Sequence, residues 1–184
     1  MNDAPVPRIE FLRWLAENRA VLFHGSSRDD LAVLEPIRLS RDTTEFGDQQ
    51  AVFATSDPVW AIYFAVLQRQ RPFGTRNGSL GIAGAGVYPR WYHFSVTRPM
   101  DKATRFGPGS LYVLPRGPFI SEPPLRSAFD TAQWVSALPV RPLVRLHVTI
   151  EDFPFLDAVV SHRERDPWLL IYLRTVARQR SSRR

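Results

Sequence analysis

The chain of 184 residues has room for one ordinary domain, and its 44% of hydrophobic residues can build a core, which excludes a wholly disordered protein. It contains no cysteine, which excludes a disulfide framework, a thiolate metal site and a cysteine nucleophile. Of the net charge of +6, residues 163–184 supply +5, because seven arginines there outnumber Glu164 and Asp166.

A basic end of this kind favours an anionic partner such as nucleic acid, although a solvated tail is the plainer interpretation. The longest apolar run, residues 58–67, is about half as long as a segment that crosses a bilayer. The first residues lack the layout of a signal peptide. We therefore expect a cytoplasmic protein with no membrane partner.

The first third of the chain predicts two helices and two strands. Residues 7–19 carry apolar side chains at helical spacing, and residues 58–68 form an almost wholly apolar helix that we expect to be buried. Asp57 is a typical N-cap for that second helix. Short apolar runs at 21–24 and 51–55 predict the strands.

Strands dominate from residue 87 to 150, after an irregular segment. Residues 68–86 are rich in glycine and arginine, which predicts an exposed loop or hairpin. Beyond it we predict a final helix from Trp168 to Gln179 and strands at 87–97, 110–114, 134–137 and 143–150. Because helices and strands do not alternate, the order favours an α+β domain over a doubly wound parallel sheet. We divide the chain into a helix at 1–20, a domain at 21–162, and a C-terminal helix with a basic tail at 163–184.

Two further patterns have plain interpretations. Residues 81–86, GIAGAG, lack the spacing of a dinucleotide fingerprint and lead into a strand, so we interpret them as a turn. Six aromatic residues that resemble base-stacking platforms lie at helical spacing, which favours core packing instead. These residues are Phe11, Trp14, Trp60, Phe64, Trp168 and Tyr172.

The four histidines are too few and too scattered for a metal cluster, so we expect no metal. His93 and His147 lie in strand patterns and His162 in a charged linker, where structural roles are the simpler interpretation. His24 differs because it ends a buried strand, and Gly25 follows it, where a ligand can approach the backbone closely. A capping or core histidine is the alternative.

Three segments are informative when their order along the chain and their residue types are taken together. They are LFHGS, VFATSDPVWAIYFA and QWVSALPVRPLVRLHV. Together they resemble the ADP-ribosyltransferase superfamily, in particular the branch of diphtheria toxin and the poly-ADP-ribose polymerases. That branch has a histidine-glycine pair, an aromatic strand leading into a short helix, and a glutamate opening the penultimate strand. The resemblance covers under a third of the chain. It implies a single α+β domain with split, curved antiparallel β-sheets and flanking helices.

The resemblance also implies roles for the matching residues. His24 would hydrogen-bond the hydroxyl of the nicotinamide-side ribose of NAD, which would be the co-substrate. The backbone of Gly25 would hold the carboxamide, with Ser26 beside it. Phe53 stands where the family usually has tyrosine, and it would stack on the nicotinamide.

The strand of Phe53 and the helix after it complete the implied slot. Tyr63 or Phe64 would supply the second wall for the nicotinamide ring. Thr55 lies close enough in the sequence to offer a hydroxyl.

Gln133 departs from the pattern, because the family has a glutamate there. Glutamine can hydrogen-bond a ribose hydroxyl, but it brings neither a charge nor a base. Three accounts are open: an inactive or slow member, another carboxylate such as Glu122 or Asp130, or a glutamate-to-glutamine change made to silence the protein. An ordinary polar residue before a strand is the plain alternative.

We therefore predict a toxin-like, NAD-dependent ADP-ribosyltransferase that modifies nucleic acid or protein, with an inhibitory partner left open. One alternative is a non-catalytic module that binds a nucleotide, ADP-ribose or an RNA end. Another is an enzyme like the tRNA 2′-phosphotransferases, which use the same slot with arginines around the phosphate. The arginines available for that reaction are Arg90, Arg116, Arg126, Arg141 and Arg145.

Overall fold

Helices lie near both ends of the fold and strands fill its middle. The computed structural model describes residues 7–37, 46–68, 74–87, 89–98 and 101–181, without the side chains of 180 and 181. The α-helices of this part are α1 (Arg8–Asn18), α2 (Pro58–Val66), α3 (Lys102–Arg105) and α4 (Trp168–Ser181). Its strands are β1 (Val21–Ser26), β2 (Val52–Thr55), β3 (Thr75–Ile82), β4 (Arg90–Thr97), β5 (Gly109–Pro115), β6 (Ile120–Ser121), β7 (Phe129–Asp130), β8 (Gln133–Ser136), β9 (Val144–Val148) and β10 (Val160–His162). The predicted α+β class is confirmed.

The larger sheet has six strands in the order β6-β8-β2-β1-β5-β9. All of its neighbouring strands pair antiparallel. β1 lies inside the sheet and pairs with β5 along its whole length, from Val21 to Ser26. Its pairing with β2 is much shorter, at the single register position Phe23↔Thr55. This unequal pairing of β1 determines where the candidate site lies.

The smaller sheet has four strands in the order β10-β4-β3-β7. β3 and β4 form an antiparallel hairpin, so part of the segment 68–86 is a sheet strand rather than an exposed loop. β10 pairs parallel with β4. Its last residue, His162, is buried, so the prediction that this histidine lies in a charged linker is wrong. The hairpin that was the other interpretation of residues 68–86 is therefore present, and residues 69–73 lie outside the described part.

Helix α2 joins the two sheets in one core. Asp57 caps it as predicted, because its carboxylate accepts a hydrogen bond of 3.1 Å from the backbone N–H of Val59. Apolar side chains of α2 pack with Phe23 from the larger sheet and with Phe94 from the smaller one. The helix is therefore buried almost all round, which agrees with its apolar sequence.

Helices α1 and α4 cover the outside of this core. α1 buries Leu12 and Ala16, as its spacing predicts. The core-packing prediction is wrong for three aromatic residues, because Phe11, Trp14 and Trp168 each expose close to half of their surface. Phe11 and Trp14 stack on each other along α1, at 6.1 Å between ring centroids. Helical spacing shows that residues share a face, but not that the face is covered.

Candidate functional site

Three neighbouring strands carry His24, Phe53 and Gln133. Thr55 of β2 is the register partner of Phe23 on β1 and of Gln133 on β8. Because adjacent strands are about 4.8 Å apart, the backbone of Gln133 lies about 10 Å from β1. His24 and Gln133 are far apart in the sequence, yet the sheet brings them to the same region.

The hydrogen-bond pattern of β1 shows which backbone groups face β2. The N–H of Arg116 donates to the carbonyl of Ala20 at 3.1 Å, just before β1 begins. Because backbone groups alternate in direction along an antiparallel strand, the even-numbered residues of β1 bond to β5. The N–H and C=O groups of Phe23 and Gly25 therefore point toward β2.

β1 and β2 separate at Gly25. If their register continued beyond Phe23↔Thr55, Gly25 would stand opposite Phe53. Within the described strands, however, the pairing of β1 with β2 stops at Phe23. The backbone pairing of the two strands is thus interrupted at this point, where the N–H and C=O groups of Gly25 face β2. We refer to this interruption as the β1–β2 opening.

Gly25 is required by the helix that covers one face of the opening. A Cβ atom at this position would lie 1.8 Å from the carbonyl oxygen of Ala61 and 2.7 Å from the backbone nitrogen of Ala65. No side chain fits at these distances. The sequence predicts that Gly25 lets a ligand approach the backbone. The structure shows that α2 also occupies the space directly above this residue.

The imidazole of His24 bridges the opening. Its Nδ1 lies 2.7 Å from the carbonyl oxygen of Phe53. A carbonyl only accepts, so Nδ1 carries the proton, and in the neutral ring Nε2 is then an acceptor. The ring also lies 6.4 Å from that of Tyr112 on β5, measured between centroids. The bond to Phe53 fixes both the tautomer and the orientation of the ring.

Side-chain alternation places Phe53 and Gln133 on one face of the sheet. Both share the orientation of Thr55, which is the register partner of Gln133 and lies two residues from Phe53. That face carries α2, whereas the Cβ of His24 points to the other face. His24 reaches the opening only because its ring extends toward the carbonyl of Phe53.

The two hydroxyl groups of the expected site are engaged in local turns. Oγ of Ser26 accepts from the backbone N–H of Arg28 at 3.1 Å. Oγ1 of Thr55 accepts from the N–H of Asp57 at 3.0 Å, and Thr55 is buried. The sequence predicts a ligand-facing hydroxyl at Thr55, whereas in the structure this side chain is buried and stabilises the turn into α2.

Tyr63 does not line a slot. It is fully buried, and its ring lies 4.6 Å from the ring of Phe94 and 5.6 Å from that of Phe153, between centroids. At helical spacing it faces the smaller sheet, so its expected role as a wall for a ligand is wrong. Phe64, the other residue named for that role, is half-buried, and its ring centroid lies 5.4 Å from that of Tyr63.

A tight turn fixes the position of Gln133. Ala132 has a φ of +57°, in the left-handed region, and its N–H donates to Oδ1 of Asp130 at 2.9 Å. The carbonyl of Ala132 accepts from the N–H of Ser56 at 3.1 Å. The start of β8 is thereby attached to the turn that leads into α2. The side chain of Gln133 is half-buried.

A buried ionic cluster supports this turn from the smaller sheet. The guanidinium of Arg90 contacts Asp130 at 2.7 Å and Asp57 at 3.7 Å, and it donates to Oγ of Ser79 at 2.6 Å. Asp57 also accepts from Ser79 at 2.6 Å and from the hydroxyl of Tyr92 at 3.2 Å. Burial raises the pKa of Asp57, while its hydrogen bonds and Arg90 act in the opposite direction. The sequence identified Asp57 as a cap but gave no sign of its partners.

Three of the arginines named for a phosphate site have other partners. Arg90 is held in the ionic cluster, so it is not available to a ligand. Arg145 donates to the carbonyl of Asp29. The guanidinium of Arg116 lies 5.4 Å from the centroid of the Trp134 ring. Arg126 and Arg141 are exposed. These positions do not favour the 2′-phosphotransferase alternative.

Other features lie away from the opening. A surface cleft of about 500 Å³ between α1 and β4 is lined by Arg13, Trp14, Tyr92 and Phe155 among others, and none of its lining residues belongs to β1, β2 or β8. In the part of the chain that the structure describes, no three histidine or acidic side chains form a group suited to a metal ion. No described helix is long and apolar enough to span a membrane.

Comparison of the chain with protein-family models, with curated proteins and with solved structures found no match.

Proposed function

We propose that this chain is a toxin-like, NAD-dependent ADP-ribosyltransferase of the diphtheria-toxin and poly-ADP-ribose-polymerase type, with the split-sheet fold of that superfamily. The observation that carries the proposal is the β1–β2 opening. His24 and Phe53 border it on β1 and β2, and Gln133 lies on β8, the next strand beyond β2. The residues that carry the resemblance therefore lie on neighbouring strands of one sheet, which supports the proposal.

The opening has the chemistry that a nicotinamide group needs. A carboxamide carries a donor and an acceptor, and the backbone of Gly25 offers one of each toward β2. Phe53, on the adjoining strand, provides an aromatic face for the ring. His24, with Nδ1 bound to the carbonyl of Phe53, directs Nε2 as an acceptor for a ribose hydroxyl.

Gln133 determines how fast such a site would work. Cleavage of a glycosidic bond develops positive charge on the sugar, and a carboxylate stabilises that charge. The amide of Gln133 orients a hydroxyl but supplies no charge. Loss of one such electrostatic contact costs on the order of 10²–10³ in rate. With no carboxylate at position 133, we therefore expect the chain to turn over more slowly than a form with glutamate there.

The acceptor of ADP-ribose is a macromolecule, and nucleic acid is the first choice. Residues 163–184 have a net charge of +5, which attracts phosphate groups. Three of these arginines, Arg174, Arg178 and Arg180, lie on α4. A protein acceptor is the alternative, and an inhibitory partner would be needed if the activity harms the cell.

A second candidate function follows from the same glutamine. Because Gln133 is neutral, the opening would be suited to a non-catalytic module that binds NAD or an ADP-ribose group without cleaving it. This candidate predicts nucleotide binding that depends on His24, with no release of nicotinamide even after Gln133→Glu.

The test combines binding and turnover with labelled NAD. We expect wild type to bind NAD and to release nicotinamide slowly, and Gln133→Glu to release it about 10²–10³ times faster. His24→Ala should weaken binding at least tenfold, whereas His147→Ala, an exposed histidine on β9, should not change it. If neither wild type nor Gln133→Glu binds NAD, the proposed function is wrong. Binding without release in both proteins selects the non-catalytic module.

A further inference from the structure

The residue beside Gln133 on the next strand is a glutamate. The register of β6 with β8 is Ile120↔Val135 and Ser121↔Trp134, and one further step places Glu122 opposite Gln133. The N–H of Glu122 donates to the carbonyl of Gln133 at 2.8 Å, so the two residues form a hydrogen-bonded pair.

This pairing places the two side chains next to each other. Residues directly opposite in an antiparallel pair point to the same face, with Cβ atoms about 5 Å apart. Glu122 therefore shares the face of the sheet that carries Gln133 and Phe53. It lies one strand farther from His24 than Gln133 does, because β6 is the third strand from β1, about 14 Å across the sheet.

Thr131 holds the carboxylate of Glu122 in place. Its Oγ1 donates to Oε2 of Glu122 at 2.5 Å and accepts from the N–H of Gln133 at 3.4 Å. Within the described part of the chain, no residue donates to Oε1 of Glu122. The carboxylate is half-buried and has one oxygen oriented by the protein.

The other acidic side chain near Gln133 is Asp130, and an arginine already balances its charge. Both oxygens of Asp130 are engaged, Oδ2 by Arg90 at 2.7 Å and Oδ1 by the N–H of Ala132 at 2.9 Å. Its charge is therefore matched by a buried guanidinium. Of the two carboxylates that the sequence left open, the contacts favour Glu122.

We propose that Glu122 is the catalytic carboxylate of this site, with Thr131 as its positioning residue; this inference rests on the proposed function. In the reaction, the bond between C1′ of the ribose and the ring nitrogen of nicotinamide breaks, and its electron pair stays on that nitrogen. A nucleophilic oxygen or nitrogen of the acceptor bonds to C1′. The acceptor's proton passes to Glu122, which stabilises the positive ribose before it takes that proton and later gives it to water. Gln133 orients a ribose hydroxyl.

The experiment measures NAD binding and nicotinamide release separately. Glu122→Gln keeps the shape and hydrogen-bonding capacity of the side chain and removes its charge. We expect release to fall by about 10²-fold or more, while the Kd for NAD changes less than threefold. Glu164→Gln, at an exposed glutamate remote in the fold from β6, should leave both quantities unchanged.

A second series tests the positioning role of Thr131. Thr131→Val removes the hydroxyl that donates to Glu122, so release should fall about tenfold with unchanged NAD binding. Thr131→Ser keeps the hydroxyl and should restore release to near the wild-type rate. Thermal melts of all variants establish that they remain folded.

The outcomes separate this inference from the proposed function. If wild type binds NAD and releases nicotinamide but Glu122→Gln does so at a similar rate, Glu122 is not the carboxylate and the proposed function stands. The inference is also overturned if wild type binds NAD without turnover and only Gln133→Glu releases nicotinamide. If neither wild type nor Gln133→Glu binds NAD, the proposed function itself fails, and this inference fails with it.

Discussion

Position 25 has no room for a side chain, because the backbone of α2 lies directly above it. The two closest atoms, the carbonyl oxygen of Ala61 and the nitrogen of Ala65, belong to a helix that is buried on nearly all sides and cannot move away easily. The close approach also fixes the position of α2 relative to the candidate site. The helix lies on the face of the sheet that carries Phe53 and Gln133, beside the β1–β2 opening.

We therefore predict that Gly25→Ala destabilises the protein. An added Cβ forces α2 away from β1, and overpacking of this kind costs about 1–3 kcal/mol of unfolding free energy. Urea denaturation measures this cost. Gly117→Ala is the matched control, because a Cβ there meets no atom within 4 Å, and it should leave the midpoint almost unchanged. Equal midpoints for the two variants would show that α2 does not constrain position 25.

At the scale of single elements, α4 docks on the smaller sheet through an unusual histidine. His93 on β4 is mostly buried, and its ring lies 4.7 Å from that of Trp168 at the start of α4. Its Nε2 is buried without a hydrogen-bond partner among the described residues. Burial lowers the pKa of His93 from 6.5 to about 4. The folded protein therefore holds this imidazole neutral.

This pKa predicts loss of stability in mild acid. Between pH 6.5 and about 4 the unfolded chain binds a proton at His93 that the folded protein does not, so the free energy of unfolding falls as the pH falls. From pH 7.5 to 5 the loss is about 2 kcal/mol. His93→Phe keeps an aromatic ring and removes the titration. Urea denaturation at both pH values should show a loss smaller by about that amount in the variant; equal losses in the two proteins would contradict the prediction.

The elements differ in how far the sequence predicts them. The cap at Asp57 and the apolar run behind it predict α2 almost to the residue, because capping and burial are local properties. Strand β3 is less predictable, because it lies in a segment whose glycine and arginine residues are typical of loops. Gly78 is needed there because the ring of His93 on β4 would lie 2.4 Å from its Cβ. Such a contact depends on the pairing partner, which a single sequence does not specify.

In the candidate site, too, the sequence predicts the local features but not the contacts between distant segments. His24, Gly25 and Phe53 are found from short motifs, and the register of the sheet brings them together. The burial of Tyr63 follows from the direction in which α2 leaves β2, and no local pattern encodes that direction. The engagement of Thr55 is local, because its hydroxyl accepts from the N–H two residues farther on. The pairing of Glu122 with Gln133 depends on a two-residue strand, β6, which is too short to produce a periodic signal.

At the scale of the whole molecule, the ionic cluster ties the two sheets together. Asp57 follows β2 of the larger sheet and caps α2, whereas Arg90 belongs to β4 of the smaller sheet. Asp130 ends β7 of the smaller sheet, and the chain then turns into β8 of the larger one. The side chains of Asp57 and Arg90 are both fully buried. One guanidinium therefore holds the turn before Gln133 and the turn before α2 in a fixed relation.

Removing this guanidinium should destabilise the whole domain. Arg90→Met leaves Asp57 buried beside an apolar side chain, and breaking a buried pair in this way costs about 3–5 kcal/mol of unfolding free energy. Because both sheets lose the connection, we expect one cooperative transition at a lower urea concentration, seen alike by tryptophan fluorescence and by circular dichroism. Arg28→Met, in an exposed pair with Asp30, serves as the control and should not shift the midpoint.

The double variant Asp57→Asn/Arg90→Met tests the cause of that loss. Asparagine caps a helix about as well as aspartate and carries no charge, so it removes the uncompensated carboxylate while keeping the cap on α2. The double variant should therefore be more stable than Arg90→Met alone, and the coupling between the two positions should be about 1–3 kcal/mol. If the two losses simply add, the charge of Asp57 does not depend on Arg90, and the sheets are held together by apolar packing around α2 alone.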